Sequence, residues 1–146
     1  VAVHVLCRSF VSLHRARDRH ARNRTHCPRM KLVVNADDLG YCRERDDGIF
    51  DTFLKDGLTS ASLIVTIDPD NAKRAAARGR QLGLPLGLHL NVTEGAPLSD
   101  PACVPSLLNN GVFHGKTAWR VAVLENKINM TELKAELTAQ FEWFLT

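Results

Sequence analysis

The chain of 146 residues lacks the features that would assign it to a special structural class at once. No apolar run approaches the roughly 20 residues that a membrane-spanning helix requires, which excludes a spanning protein. Four cysteines are too few for a disulfide-stapled scaffold of this length, and aromatic residues make up only 6%. Neither sign of charge is in large excess, with 19 Lys and Arg against 16 Asp and Glu. The 45% of hydrophobic residues is typical of a globular domain.

Charge is unevenly distributed along the chain. Residues 1–31 contain eight basic residues and one acidic residue, whereas the remainder contains eleven basic and fifteen acidic residues. We therefore predict a disordered basic leader at residues 1–29 and a folded unit at residues 30–146. An Arg-rich, acid-poor leader is also typical of organelle transit peptides and nucleic-acid-binding arms, and both interpretations stay open. A zinc site is disfavoured, because Cys7 and Cys27 have no close cysteine partner.

The folded unit alternates between strand-like and helical patterns. The expected elements are a strand at 31–36, a helix at 43–56, a strand at 60–67, a helix at 70–82 and a strand at 86–92. This order with short links predicts an α/β fold with a parallel sheet and right-handed crossovers.

The second half of the unit begins with residues 93–111, where repeated Pro and Gly predict a long irregular loop. Helices are expected at 116–126 and 131–146, the second with an apolar face formed by Leu133, Leu137, Phe141 and Phe144. Three parallel strands leave exposed sheet edges, and the last helical pattern reaches the end of the chain without a capping residue. We therefore expect the chain to be the N-terminal portion of something larger.

Parallel α/β folds place their sites at the carboxyl ends of strands, and polar side chains occur at these positions. Asp37 and Asp38 follow the first strand, and two adjacent carboxylates near an apolar core are stabilised by a divalent cation. His89 lies in the third strand, on the face opposite to Leu88 and Leu90. Such oxygen and nitrogen donors suit a divalent metal ion.

Each of these residues also has a purely structural interpretation. Asp pairs commonly cap helices or form turns, and a lone His in a strand is commonly a hydrogen-bonded core residue. Glu94 is a substrate contact, a residue that orients a ligand, or a turn carboxylate. His114 is a candidate third metal ligand, although its neighbours indicate a loop. Trp119 is predicted to pack against the protein rather than to bind sugar.

Three segments of the chain resemble the YdjC-like carbohydrate deacetylases in composition, order and spacing. They are LVVNADDLGY at 32–41, GLTSASL at 57–63 and GLHLNVTEG at 87–95. The resemblance extends over residues 30–146. It implies the N-terminal part of a distorted (β/α) barrel that removes acetyl groups from N-acetylated sugars with a divalent metal, magnesium or zinc.

The same resemblance implies roles for individual residues. Asp37 corresponds to the general base, and Asp38 and His89 correspond to metal ligands. The further metal-binding histidine of the family lies in a block after the helix at 131–146, and this chain lacks that block. The expected chemistry is metal-assisted amide hydrolysis, with backbone N–H groups near Leu39–Gly40 stabilising the oxyanion.

The expected substrate is an acetylated oligosaccharide, with no membrane or nucleic-acid partner, and a homodimer is left open. The expected location is the cytoplasm, unless the leader directs the protein to an organelle. Two alternative hypotheses remain, an inactive truncated fragment and a basic-leader module for binding or targeting without catalysis.

Overall fold

The computed structural model describes residues 4–6 and 32–146. The predictions for the rest of the leader, including its disorder, lie outside the described residues. The elements in chain order are β1 (His4–Leu6), β2 (Asn35–Leu39), α1 (Arg43–Leu54), β3 (Ser60–Ile64), α2 (Pro69–Leu82), β4 (Leu86–His89), β5 (Leu108–Asn109), β6 (Val112–Phe113), α3 (Lys116–Leu124) and α4 (Met130–Leu145), with short 3₁₀ helices at Pro101–Cys103 and Pro105–Leu107.

The main sheet contains β2, β3 and β4 as parallel neighbours, with β3 in the centre. Helices α1 and α2 connect these strands, as the alternating sequence pattern predicts. On its other side, β4 pairs with the antiparallel strand β1. The predicted α/β fold with parallel strands is therefore confirmed, whereas closure into a barrel stays a prediction.

The core lies between the sheet and the helices α1 and α2. The large buried side chains include Leu39, Phe50, Leu63 and Leu88, and each such burial stabilises the fold by about 1.5–3 kcal/mol. The alanines of α2 allow this helix to approach the sheet closely, which explains the Ala-rich stretch in its sequence. None of the helices described within residues 32–146 combines the length and apolarity required to cross a bilayer.

The first parallel strand lies further along the chain than predicted. Its expected range was 31–36, but β2 spans Asn35–Leu39, and Asp37 and Asp38 belong to the strand rather than to a turn after it. The pairing with β3 continues to Leu39, with an irregularity in register between Ala36 and Leu39. Hydrophobicity located the strand only approximately, because the apolar residues 32–34 lie before β2 and are exposed. The polar residues Asp37 and Asp38 belong to β2 instead.

The segment at 93–111 is more ordered than an irregular loop. It contains both 3₁₀ helices and the first strand of a small hairpin, in which β5 and β6 pair antiparallel. Asn110 and Gly111 form the turn with φ values of 53° and 83°, and Asn-Gly is the favoured pair where both turn residues need positive φ.

The predicted apolar face of the last helix is only partly covered by the described residues. Leu133 and Phe144 are partly buried, but the Phe141 side chain is 41% exposed. The fully buried side chains of α4 are instead Glu136 and Gln140. These polar groups face the irregular segment after β4, whose backbone N–H and C=O groups require hydrogen-bond partners.

Candidate active site

The carboxyl ends of β2 and β4 bring the predicted site residues together. Asp38 is the penultimate residue of β2, and His89 is the last residue of β4. Asp38 Oδ1 lies 3.2 Å from His89 Nδ1, although the strand β3 separates their own strands in the sheet. The Asp38 side chain is 36% exposed and that of His89 is 18% exposed, so both reach a solvent-connected surface. The proximity that a shared metal site requires is therefore present.

Asp38 is held in an unusual backbone conformation at this point. Its φ of 63° lies in the left-handed region, which aspartate tolerates better than most residues. Its second carboxylate oxygen, Oδ2, accepts a hydrogen bond from Arg45 Nη1 at 2.9 Å. The Arg45 guanidinium also lies 4.1 Å from the centre of the Tyr41 ring. The two oxygens of Asp38 thus face different partners, an imidazole and a guanidinium.

Ser62 of the central strand lies between Asp37 and His89. Its hydroxyl donates to Asp37 Oδ1 at 2.8 Å and lies 3.4 Å from His89 Nδ1. Asn35 Nδ2 also donates to Asp37 Oδ1, at 2.8 Å. Ser62 is buried and was missed by sequence reasoning. The available signal was the alternation of Ser60 and Ser62, which places two hydroxyls on one face of an apolar strand.

A cavity of about 630 Å³ opens over this group of residues. Asp37, Asp38 and His89 line one part of it, and Trp119 lines another part together with Lys116 and Arg120 of α3. A volume of this size lies within the usual range of small-molecule sites. The Trp119 side chain also packs against the buried cluster that contains Leu107 and Phe113. The predicted packing role of Trp119 is confirmed, and the same side chain contributes to the cavity wall.

Comparison with known proteins assigns the chain to a family. A model of the family described as "YdjC-like protein" matches residues 31–146. This chain belongs to the YdjC-like family. It is 42% identical to a carbohydrate deacetylase of Danio rerio over 118 residues, which are 80% of this chain and 37% of that protein. It is 36% identical to a chitooligosaccharide deacetylase of Serratia marcescens over 116 residues, which are 79% of this chain and 44% of that protein.

A solved structure supports the same relationship at the level of the fold. It is described as a candidate cellobiose-phosphate cleavage protein from Enterococcus faecalis, and it matches with a TM-score of 0.68 and 28% identity. The match covers 77% of this chain and 42% of that chain. The YdjC-like chain spans about two fifths of the length of the curated relatives it matches. The resemblance noted in the three sequence segments is confirmed.

In this YdjC-like chain, His114 does not join the other two candidate ligands. Its Nε2 lies 3.0 Å from the backbone oxygen of Ser106, in the segment before the hairpin. Within residues 32–146, no group of three or more His, Cys, Asp or Glu side chains is arranged to hold a metal ion. The described residues therefore offer Asp38 and His89 as a pair of donors.

The turn after Asp38 is stabilised by a carboxylate that the sequence did not single out. Asp46 of α1 is fully buried, and its Oδ1 accepts a hydrogen bond from the Gly40 N–H at 2.6 Å. Burial raises the pKa of the Asp46 carboxyl, while hydrogen bonds from Gly40 and Asn71 and the charge of Arg74 act against the increase. Because the Gly40 N–H already donates to Asp46, it is not available to an oxyanion, and the expected role of the other N–H groups near Leu39–Gly40 stays a prediction.

The segment after β4 is held by the buried polar side chains of α4. Asn91 N–H donates to Gln140 Oε1 at 3.0 Å, and Gln140 Nε2 donates back to Asn91 C=O at 2.6 Å. Glu136 accepts hydrogen bonds from the N–H groups of Leu98 and Ser99 at 3.2 and 3.0 Å. These bonds fix the path of the chain beside the cavity.

Glu94 lies at the rim of the cavity within this segment. Its Oε2 accepts a hydrogen bond from the Tyr41 hydroxyl at 3.5 Å, and its backbone oxygen accepts one from Asn91 Nδ2 at 2.7 Å. Asn91 therefore orients the backbone of Glu94, while the Glu94 carboxylate stays at the cavity surface. The sequence left three roles open for Glu94, and this position is compatible with a substrate contact.

Proposed function

We propose that this chain forms the N-terminal part of the site of a metal-dependent hydrolase that removes acetyl groups from N-acetylated carbohydrates. The observation that carries the proposal is the 3.2 Å separation between Asp38 Oδ1 and His89 Nδ1 at the base of the cavity. The names of the relatives support the reaction and the substrate class, since they are carbohydrate and chitooligosaccharide deacetylases.

The donor atoms fit a divalent cation in their chemistry. A carboxylate oxygen and an imidazole nitrogen are both zinc ligands, and carboxylate oxygen is also a magnesium ligand. The two atoms lie 3.2 Å apart beside the cavity, close enough for one cation to contact both. Asp38 and His89 would therefore hold the cation, which when bound polarises an acetamide carbonyl and acidifies water.

The position of Asp37 at the cavity supports the proposal that it accepts the proton of the attacking water. Its side chain is exposed at the cavity, while Ser62 and Asn35 both donate to Oδ1 and so orient the carboxylate. A general base must lie within hydrogen-bond reach of the proton it removes, and this orientation aims the group at the cavity that contains Asp38. The two adjacent carboxylates would thus have different roles, Asp37 as the base and Asp38 as the metal ligand.

The wall formed by α3 suits a carbohydrate ring. Besides its packing role, Trp119 offers an aromatic surface at the cavity, so the proposal departs from the expectation that it does not bind sugar. Lys116 and Arg120 offer hydrogen-bond donors one helical turn apart. Amphipathic aromatic side chains combine apolar contact with little loss of conformational entropy. We expect the sugar to lie between this wall and the Asp37 carboxylate.

Isothermal titration calorimetry of the chain with Zn²⁺ and with Mg²⁺ tests the metal assignment. We expect binding by the wild type and no measurable binding by Asp38→Asn or His89→Gln. Asp51→Asn is the matched control, since it removes an exposed carboxylate of α1 and should leave the affinity unchanged. An unchanged affinity of Asp38→Asn would overturn the assignment of this residue.

Acetate release from acetylated chitooligosaccharides tests the reaction. We expect EDTA to abolish release, and Asp37→Asn to bind metal normally while turnover falls by about 10²–10⁴-fold, the usual contribution of a general base. Release that persists in EDTA contradicts metal dependence, and full turnover by Asp37→Asn contradicts the role of the base. A metal-loaded wild type that releases no acetate overturns the proposed activity of this chain.

A further inference from the structure

The backbone immediately after Asp38 forms a tight turn with little freedom. The Tyr41 N–H donates to the Asp38 C=O at 3.2 Å, and Gly40 at the third position has a φ of 90°, as a type II turn requires. A Cβ atom on Gly40 would lie 2.9 Å from the Ile64 carbonyl oxygen and 3.1 Å from Ala72 Cα. The turn is therefore pressed against both β3 and α2, and its position determines where the backbone of Asp38 lies.

Both backbone polar groups of Gly40 are bound by side chains from two different helices. The Gly40 N–H donates to Asp46 Oδ1 at 2.6 Å, and Asn71 Nδ2 donates to the Gly40 C=O at 3.0 Å. Asn71 Nδ2 also donates to Asp46 Oδ2 at 2.9 Å. Asp46 is fully buried and Asn71 is nearly so. The two side chains thus form a closed set of bonds around one residue of the turn.

Arg74 completes the charge balance of this group without contacting Gly40. Its Nη2 donates to Asp46 Oδ2 at 2.8 Å and to Asn71 Oδ1 at 2.9 Å, and its Nε donates to Asn71 Oδ1 at 3.1 Å. Arg74 neutralises the buried carboxylate and fixes the Asn71 amide. It therefore supports stability in the same cluster but has no direct bond to the turn.

We propose that Asp46 and Asn71 are positioning residues for the Asp38 carboxylate. They act through Gly40, two residues away, and hold Asp38 in its left-handed conformation with Oδ1 towards His89. The assignment of Asp38 as a metal ligand rests on the proposed function, whereas the geometry of the turn does not. Hydrogen-bond partners that orient a metal ligand typically change metal affinity by about 10–100-fold when they are removed.

Nuclear magnetic resonance of the chain tests the positioning role directly. We expect an NOE between the Asp38 Hβ protons and the ring Hε1 of His89 in the wild type, and its loss in Asp46→Asn and Asn71→Ala. Asp47→Asn is the matched control for charge, because Asp47 is the next residue, is exposed and pairs with Arg78 instead. Leu107→Ala is the control for stability, since Leu107 is fully buried in the other apolar cluster and its loss should lower the melting temperature but keep the NOE.

The effect of the positioning residues on metal affinity is tested with Mn²⁺ alone. The measurement is the paramagnetic broadening of the Asp38 and His89 signals as Mn²⁺ is added. We expect Asp46→Asn and Asn71→Ala to require at least about tenfold more Mn²⁺ for the same broadening. If the wild type shows no broadening, the metal assignment fails while the NOE still decides the positioning role. If Asp46→Asn does not fold, the milder Asn71→Ala decides. Folded variants that keep both the NOE and the Mn²⁺ response overturn the proposal.

Discussion

Gly95 is the position at which a single methyl group should cause the largest backbone disturbance beside the cavity. Its φ is 79°, and a Cβ atom would lie 2.2 Å from the Thr66 carbonyl oxygen. That oxygen accepts the hydrogen bond of the Ala96 N–H at 3.1 Å, and the Gly95 C=O accepts one from Phe113 N–H at 2.9 Å. A Gly95→Ala substitution must therefore displace backbone rather than a flexible side chain.

The expected cost of Gly95→Ala follows from two contributions. A left-handed conformation costs a residue with a Cβ atom about 1–2 kcal/mol. The displacement of the Thr66 carbonyl endangers a backbone hydrogen bond, and a buried group left without its partner costs about 1–3 kcal/mol. We expect the free energy of unfolding to fall by about 2–5 kcal/mol in total.

Gly111→Ala is the matched control. Gly111 has a similar φ of 83°, but nothing lies within 4 Å of the position of its Cβ atom. This variant should lose only the conformational contribution of about 1–2 kcal/mol. Urea unfolding followed by tryptophan fluorescence measures both values. Equal losses in the two variants would refute the argument from the close contact with Thr66.

Two further predictions concern the buried carboxylates. In a ¹³C titration, the Asp46 carboxyl should have a pKa above its ordinary value of 3.8 because it is buried, and Arg74→Ala should raise that pKa further by removing a positive charge. The native state then binds the proton more tightly than the unfolded chain does, so protonation of Asp46 stabilises the fold. This contribution to the free energy of unfolding is complete below about pH 3.8 and is lost as the pH rises through the native pKa of Asp46. Glu136→Ala removes the carboxylate that accepts hydrogen bonds from two loop N–H groups and from Gln140. Urea unfolding should show a free energy of unfolding lower by about 2–4 kcal/mol. The exposed Glu142→Ala is the control and should change this free energy by less than about 0.5 kcal/mol. A Glu136 variant as stable as the Glu142 variant would show that these hydrogen bonds contribute no net stability.

The sequence by itself determined the order of the helices and of the three parallel strands, and the place of the candidate site. Alternating apolar patterns record which residues are buried, so the helices α1 and α2 and the strand β3 were found within a few residues. The carboxyl ends of parallel strands share one edge of a sheet, and this rule was sufficient to bring Asp38 and His89 together. Both inferences use local sequence and a topological regularity, and neither needs the detailed packing.

Only the tertiary structure decided which polar residues support the site. Asp46 and Asp47 are adjacent and chemically identical, yet Asp46 is fully buried and Asp47 is exposed in an ion pair. The partner that distinguishes them, Asn71, lies 25 residues further along the chain. Likewise, the sequence around Glu136 is typical of a solvent-facing helical residue, but the folded segment after β4 brings the N–H groups of Leu98 and Ser99 to its carboxylate. The burial and the hydrogen bonds of a carboxylate depend on atoms that folding brings from distant positions in the chain. The sequence pattern around the carboxylate therefore cannot predict them.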